Sequence, residues 1–244
     1  MTGGRSARIR VLVAEQAARR GARVAVVDVC TADVAALPIG GAGVSAMSRT
    51  AAGHPLCATG PVSERIEDLQ LTLGEGPGVD AFALGSAVLA PDLRADGERR
   101  RWPAFAPEAA AAGAAALFAF PLRIGAISPG VLDLYSDVPL ELAPGELADA
   151  MVFADTATLV LLGTRIDPRG GSLGDLGGYR AEVDQATGML TVQLGVGIEE
   201  AFVRLRAYAY THGRRLAEVA ADVVARRLRF TPDPDEDQSA SDDA

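Results

Sequence analysis

Apolar and polar positions alternate along this chain with two different periods. Helical spacing, bounded by glycine and proline, predicts helices at Ala7–Arg20, Ala22–Leu37, Pro61–Leu71, Pro107–Ala112 and Pro144–Leu162. Short apolar or alternating runs predict strands at Gly43–Met47, Ala87–Ala90, Ala114–Leu122 and Val131–Tyr135. Because only Arg123 to Gly130 separates the last two strands, we expect them to form a hairpin. Strands mixed with helices in this way indicate an α+β domain, an antiparallel sheet with flanking helices.

The C-terminal part has only the helical period. Three apolar stripes predict three helices that share one core: Val183, Ala186, Leu190 and Leu194; then Ile198, Phe202, Leu205 and Ala209; then Leu216, Val219, Ala220 and Val223. Gly195 and Gly197 separate the first pair of helices and Gly213 the second, as helix stop signals do. The pattern predicts an all-α three-helix module after the α+β domain.

Changes in composition divide the chain further. Residues 167–178 contain five glycines and a proline, which predicts a flexible linker. Residues 231–244 are acidic and proline-containing without an apolar anchor, which predicts a disordered tail. We therefore expect the α+β domain at 1–166, the linker at 167–178, the helical module at 179–230 and the acidic tail at 231–244.

Charge is distributed unevenly over these segments. The net charge is -9, and all 23 basic residues are arginine. Counted by segment, residues 1–178 hold 15 Arg and 20 acids (-5), residues 179–230 hold 8 Arg and 6 acids (+2), and residues 231–244 hold 6 acids (-6). The helical module is the basic segment, and arginine suits forked contacts with phosphates.

Several classes of protein do not fit the sequence. The apolar runs are too short or too weakly hydrophobic for a membrane span, and charged residues interrupt the stretch where a signal peptide needs apolar ones. We expect a cytoplasmic protein with no membrane association. Cys30 and Cys57 imply no disulfide framework, and His54 with Cys57 is too little for a metal site. Without a phosphate-binding glycine loop, a nucleophile elbow or a clustered acid and histidine, we expect no enzyme, no metal and no cofactor.

Motifs in the α+β part resemble those of a known family. They are Leu73-Gly-Glu-Gly-Pro-Gly-Val-Asp-Ala-Phe82, Arg101-Trp-Pro-Ala-Phe105, Phe120-Pro-Leu122 and Gly130-Val-Leu-Asp-Leu134. They look like the GAF domains of actinobacterial regulators that join GAF to ANTAR domains. A cysteine often stands in that family where this sequence has Gly78, so no role of that thiol is carried over. Trp102, Phe105, Phe118, Phe120 and Tyr135 could line a ligand pocket, but we expect them to form core.

The C-terminal segment resembles the ANTAR domain, an RNA-binding antiterminator unit. Its motifs, in the order of the three ANTAR helices, are Val183-Asp-Gln-Ala-Thr-Gly-Met-Leu190, Glu199-Glu-Ala-Phe-Val-Arg-Leu-Arg206 and Leu216-Ala-Glu-Val-Ala220. The family often has lysine where Thr187 stands here, so one candidate phosphate contact is missing. The resemblance implies a signal-responsive regulator that binds paired hairpins in leader transcripts, forms a homodimer, and has a sensor domain whose small-molecule ligand is unknown.

The residues expected to contact RNA lie off the apolar stripes or in the loop before the third helix. They are Gln185, Gly188, Arg204, Arg206, Tyr208, Thr211, His212, Arg214 and Arg215. Arginine neutralises phosphates, while tyrosine and histidine can stack on unpaired bases. Arg206 could instead cover the edge of the core. Arg226, Arg227 and Arg229 could extend the basic surface or neutralise the carbonyl end of the third helix.

Two other functions remain open at this stage. Three helices with arginines can also form a helix-turn-helix, so the chain could be a DNA-binding transcriptional regulator. Alternatively, the GAF-like domain could act as a redox sensor through Cys30 or Cys57.

Overall fold

A computed structural model describes residues 2–47, 54–166 and 176–231. The chain divides into two compact units, with the division between Leu176 and Gly177. None of the described helices is both long and apolar enough to cross a membrane. The two units are described separately below.

The first unit is built on a five-stranded antiparallel sheet. Its strands are β1 Gly41–Ala46, β2 His54–Ala58, β3 Val88–Ala90, β4 Ala116–Ile124 and β5 Ile127–Ser136, in the spatial order β2-β1-β5-β4-β3. The predicted hairpin is confirmed, since β4 and β5 pair from Ala116↔Ser136 to Ile124↔Ile127. Gly125 in the turn has φ 59°, which a side chain disfavours.

Helices cover both faces of this sheet. They are α1 Thr2–Arg20, α2 Val26–Ala36, α3 Pro61–Leu73, α4 Pro77–Leu84, α5 Asp96–Arg101, α6 Phe105–Ala111 and α7 Pro144–Ile166. Phe118 and Phe120 of β4 join one core with Phe153 of α7, while Leu117 and Ala119 join a second core on the other face. Successive strand side chains point to opposite faces, so a strand covered on both sides is apolar throughout. The predicted α+β class is confirmed.

The aromatic residues of the first unit are core, as expected. Trp102, Phe105, Phe118 and Phe120 are at most 2% exposed, and Tyr135 is half-buried. Asp80 accepts a hydrogen bond from Trp102 Nε1 at 3.1 Å. Trp102, Phe105, Phe118 and Phe120 therefore belong to the two cores, and Tyr135 packs against one of them.

Three elements of the first unit were missed by the sequence patterns. Strand β2 contains Pro55 and pairs only with β1, at the edge of the sheet where a missing N–H is tolerated. Helix α4 begins at Pro77 within a glycine-rich stretch that reads as a loop. Helix α5 has no buried residue and so no apolar period. The second helix also begins later than predicted, at Val26 instead of Ala22.

Cys30 of α2 and Cys57 of β2 are joined in a disulfide, which corrects the expectation of unlinked thiols. Both side chains are buried, at 0% and 5% exposure, within the core on the α7 side of the sheet. The sequence pattern missed this pairing because it left β2 unassigned, and β2 is the strand that brings Cys57 near α2.

The second unit contains the three predicted helices. They are α8 Leu176–Leu194, α9 Ile198–Thr211 and α10 Leu216–Val224. Gly195 (φ 70°) and Gly213 (φ 60°) follow α8 and α9 in the left-handed conformation that ends helices. Because α8 begins at Leu176, the last three residues of the predicted linker are helical. The rest of that linker and the tail beyond Thr231 lie outside the described residues.

Candidate nucleic-acid interface

The core of the helical module decides which of its side chains are free to face a ligand. The stripes on α8 and α10 are buried as predicted, at most 7% exposed. On α9 the stripe is corrected: Ala201, Leu205 and Ala209 are fully buried, whereas Ile198 is 60% exposed and Phe202 is half-buried. Ala201 takes the core position because it lies one turn before Leu205.

Residues predicted to contact RNA occupy the surface around this core. Gln185 and Gly188 are exposed on α8, and Arg204, Arg206 and Tyr208 are half-buried on α9. After them Thr211, His212 and Arg215 are exposed, and Arg214 is half-buried. Thr187 is 4% exposed and its hydroxyl donates to the Val183 carbonyl at 2.7 Å, so it faces the core and not a phosphate.

Tyr208, Thr211 and His212 form one cluster at the end of α9. The Tyr208 and His212 rings stack with centroids 3.8 Å apart and planes 16° apart. Thr211 Oγ1 lies 3.1 Å from His212 Nδ1. The cluster presents stacked aromatic edges and a hydroxyl next to the turn that carries Arg214 and Arg215.

Several of the arginines already have partners within the module. Arg204 pairs with Glu200 at 2.7 Å. Arg214 and Arg227 both pair with Asp222 at 2.7 Å. Their hydrogen bonds hold the pKa of Asp222 below its usual value and raise the pKa of Arg214. A phosphate would therefore compete with a carboxylate for Arg204 and Arg214.

Arg206 lies over the ring of Phe202, with its guanidinium carbon 5.6 Å from the ring centroid. Burial lowers the pKa of Arg206. The side chain thus covers the half-buried Phe202, which is the alternative that the sequence left open for it.

The chain after α10 folds back onto α8 and α9. Arg226, with φ 60°, reverses the chain direction, and the N–H groups of Arg227 and Leu228 donate to the Asp222 carbonyl. Farther on, the Phe230 N–H donates to Gln193 Oε1 at 3.0 Å, and the Phe230 ring lies 5.1 Å from that of Tyr208. We call residues 225–231 the C-terminal strap. No sequence pattern indicated its path, because the Phe230 contacts that fix it reach Tyr208 and Gln193, 22 and 37 positions earlier.

A groove of about 590 Å³ separates α8 from the C-terminal strap. We call it the α8–strap groove. It is lined by Gln185, Gly188, Met189, Val192, Gln193, Arg226, Leu228 and Arg229.

The first unit holds a second cluster of polar groups, buried between the sheet and α3. Asp133 Oδ2 accepts from Gln70 Nε2 at 2.7 Å, Gln70 Oε1 accepts from the Gly78 N–H at 2.6 Å, and Glu67 accepts from the Ser45 hydroxyl. Burial raises the pKa of Asp133 to about 7, and burial together with the neighbouring Asp133 raises that of Glu67 well above its usual value.

This cluster leaves almost no space for a ligand. The cavity that it lines has a volume of about 10 Å³, the space of roughly one water molecule. A Cβ atom at Gly78 would stand 2.8 Å from Asp133 Oδ2 and from both terminal atoms of Gln70. The Gln70 and Asp133 side chains therefore occupy the space that a side chain at position 78 would need. Within the described residues, no group of three or more His, Cys, Asp or Glu is placed to hold a metal ion.

Comparisons with known proteins found one family match and a number of similar solved structures. None of the curated proteins compared with the chain is significantly similar to it. Among solved structures, the GAF domain of a Coxiella burnetii phosphoenolpyruvate-protein phosphotransferase is 14% identical, with a TM-score of 0.49 over 66% of this chain and 96% of that one. The GAF domain of the Acinetobacter phosphoenolpyruvate-protein phosphotransferase is 13% identical, with a TM-score of 0.48 over 67% and 95%. The ANTAR domain family model matches residues 179–224, from within α8 to the end of α10.

Proposed function

We propose that this chain is a signal-responsive RNA-binding transcription antiterminator. Its ANTAR-like module binds paired hairpins in leader transcripts, and its GAF-like first unit controls that binding in response to a small-molecule or other input. The observation that carries the proposal is the ANTAR match over residues 179–224, which falls on the chain's basic segment. The proposal includes a cytoplasmic homodimer without a cofactor and without enzymatic activity.

The RNA-binding surface in this proposal comprises the nine predicted residues, in three roles. Gln185, Gly188 and the Tyr208–Thr211–His212 cluster face unpaired bases, which aromatic rings and amides recognise in RNA loops. Arg204, Arg214 and Arg215 face phosphates, which displace the partners that these side chains hold within the protein; for Arg204 and Arg214 those partners include a carboxylate. Arg206 positions this surface by covering Phe202.

Binding of RNA hairpins and duplex DNA under controlled salt tests the proposal. Hairpins are first selected from a pool with randomised loops, using the full chain, and Kd is then measured by fluorescence anisotropy at several salt concentrations. We expect selected hairpins to bind at least tenfold more tightly than duplex DNA of equal length at each salt concentration. Preference for duplex DNA would instead favour a helix-turn-helix regulator, since α9 and α10 are joined by a short turn at residues 212–215.

A redox input is a second candidate function, favoured by the Cys30–Cys57 bond. Disulfides are rare in the cytoplasm except where they are transient or sense redox state. In this case reduced and oxidised protein should differ in RNA affinity, and a Cys30→Ala/Cys57→Ala variant should not respond to oxidant. Equal affinity of wild-type protein under reducing and oxidising conditions would exclude this input.

A further inference from the structure

We propose that the α8–strap groove is an RNA subsite that takes one unpaired loop base, with the flanking phosphates held by Arg226 and Arg229. The inference rests on the proposed function and adds a site to it. We assign an RNA base as the occupant because apolar groups, which suit a base, and cationic groups, which suit its phosphates, line the same groove.

The apolar wall comes from α8 and from the strap. Val192 is 85% exposed, Met189 and Leu228 are half-buried, and all three line the groove. An exposed apolar wall in a depression of about 590 Å³ is typical of a small-ligand site and accepts the flat face of a base.

Two cations stand at the same groove. Arg226 and Arg229 are exposed, and neither guanidinium is bonded to a carboxylate among the described residues. Arg214 and Arg227, which do not line the groove, are instead paired with Asp222. A phosphate therefore meets two arginines in the groove without having to displace an acid.

The strap wall is held in place before any ligand binds. Arg227 pairs with Asp222, the Phe230 N–H donates to Gln193 Oε1, and the Phe230 ring packs by Tyr208. These contacts link the groove to the Tyr208–Thr211–His212 cluster, so one hairpin loop can reach both. Preorganised walls reduce the entropy lost on binding.

At two positions the fold of the module does not require the residue that is present. Gly188 lies inside α8, where alanine is the more favourable residue, yet a Cβ there would meet no atom within 4 Å. Arg226 has φ 60°, a conformation that favours glycine. The conformation itself ends α10, where the Arg226 and Arg227 N–H groups donate to the Val223 and Asp222 carbonyls, but glycine adopts it with less strain than arginine. Gly188 keeps the groove floor open, and Arg226 keeps a cation at its rim.

The decisive variants are therefore ones that stabilise the fold but impair binding. Gly188→Ala removes a helix-interior glycine, and Arg226→Gly removes a left-handed non-glycine residue. Both should melt at the wild-type temperature or above it. Gly163→Ala is the matched control, since Gly163 also lies inside a helix, α7, and its added Cβ also meets nothing within 4 Å.

Affinity is measured on full-length protein with the selected RNA hairpin. Arg226→Gly should weaken binding about tenfold and reduce the salt slope by about 1, as loss of a phosphate contact does. Gly188→Ala should weaken binding about tenfold with an unchanged salt slope, and Gly163→Ala should match wild type. Abasic nucleotides placed along the loop should identify one position whose removal weakens wild-type binding but not Gly188→Ala binding.

Each result bears on the proposal. Wild-type binding with both groove variants within twofold of it would overturn the subsite while leaving the proposed function in place. Tighter binding by Arg226→Gly would assign the groove to the chain's own acidic tail and also overturn the subsite. A wild-type protein that binds no selected hairpin would overturn the proposed function together with this inference.

Discussion

The buried cluster of the first unit and the α8–strap groove of the second place charged groups in opposite surroundings. Glu67 and Asp133 are 1% and 3% exposed, and protonation lowers the cost of keeping them out of water. Arg226 and Arg229 are instead exposed to water. The cavity beside the carboxyl groups holds about 10 Å³, against about 590 Å³ for the groove. A ligand can therefore enter the groove directly, whereas the buried cluster must first rearrange.

The largest effect expected from this difference is in RNA binding by the separated units. A fragment of residues 176–244 should bind the selected hairpin within about tenfold of the full chain, allowing for lost dimerisation. A fragment of residues 1–166 should show no measurable binding, because its 14 Arg and 18 acids give a net charge of -4 and it lacks the basic segment 179–230, whose net charge is +2. Gel shift measures both, with circular dichroism to check that each fragment is folded. Binding that follows residues 1–166 would overturn the assignment of RNA to the helical module.

The second effect is on the pH dependence of stability in the first unit. Asp133 holds its proton in the folded state up to about pH 7, whereas an unfolded aspartate loses it near pH 4. Between these values the folded state binds more protons, so the free energy of unfolding falls as pH rises. At about 1.4 kcal/mol per pH unit, the loss from pH 5 to pH 7 is on the order of 3 kcal/mol. Urea unfolding at several pH values measures it.

Asp133→Asn and Glu67→Gln are the matching controls for this pH dependence. Each replaces a titrating group by a neutral one of similar shape, so the slope between pH 5 and pH 7 should decrease. Burial also raises the pKa of Asp33, so both variants should retain part of the slope of unfolding free energy against pH. The same slope in wild type and both variants would show that this pair does not titrate as described.

The third effect concerns self-association through the first unit. Helices α1 and α7 expose Val11, Met151 and Leu159 at 54% to 57%, an apolar surface suited to a helical bundle. Leu159→Arg should weaken dimerisation at least tenfold in sedimentation analysis. Leu84→Arg, on α4 and 64% exposed, is the control and should leave association unchanged. A wild-type monomer at all concentrations, with and without RNA, would remove the homodimer from the proposal.

A smaller effect is expected from the packing of Arg206 on Phe202. Arg206→Ala should lower the free energy of unfolding of the helical module by about 1 kcal/mol, through the lost cation–π contact and lost cover of the ring. Arg206→Met keeps the apolar cover and should recover most of this stability. RNA affinity of the methionine variant within twofold of wild type would support a positioning role. A tenfold loss would instead make Arg206 a phosphate contact.

These sites differ in how far the sequence could reveal them. The helical stripes and the β4–β5 hairpin follow from local period and turn length, so both were predictable. The Glu67–Asp133 pair was not, because 66 positions separate its members and α3 reads as an ordinary amphipathic helix. The one usable signal was a small residue on the strand that faces Glu67. A Cβ atom at Gly43 would lie 2.3 Å from Glu67 Oε1, so only glycine leaves room for this carboxyl group. Sequence patterns do not show which glycines face which side chains across a sheet.

The smallest effect is expected from the acidic tail, which lies outside the described residues and begins just after the strap. Its six carboxylates begin four positions after Arg229, so their effective concentration near the groove is high. They should compete with RNA phosphates as exposed ion pairs do, weakly and only while salt does not screen them. The Debye length is about 30 Å at 0.01 M salt and about 8 Å at physiological ionic strength. Truncation after Phe230 should therefore tighten hairpin binding roughly two- to threefold at low salt, consistent with exposed pairs of well under 1 kcal/mol, and have no effect at high salt. Equal anisotropy Kd values for full-length and truncated protein at low salt would reduce the tail to a solubilising segment.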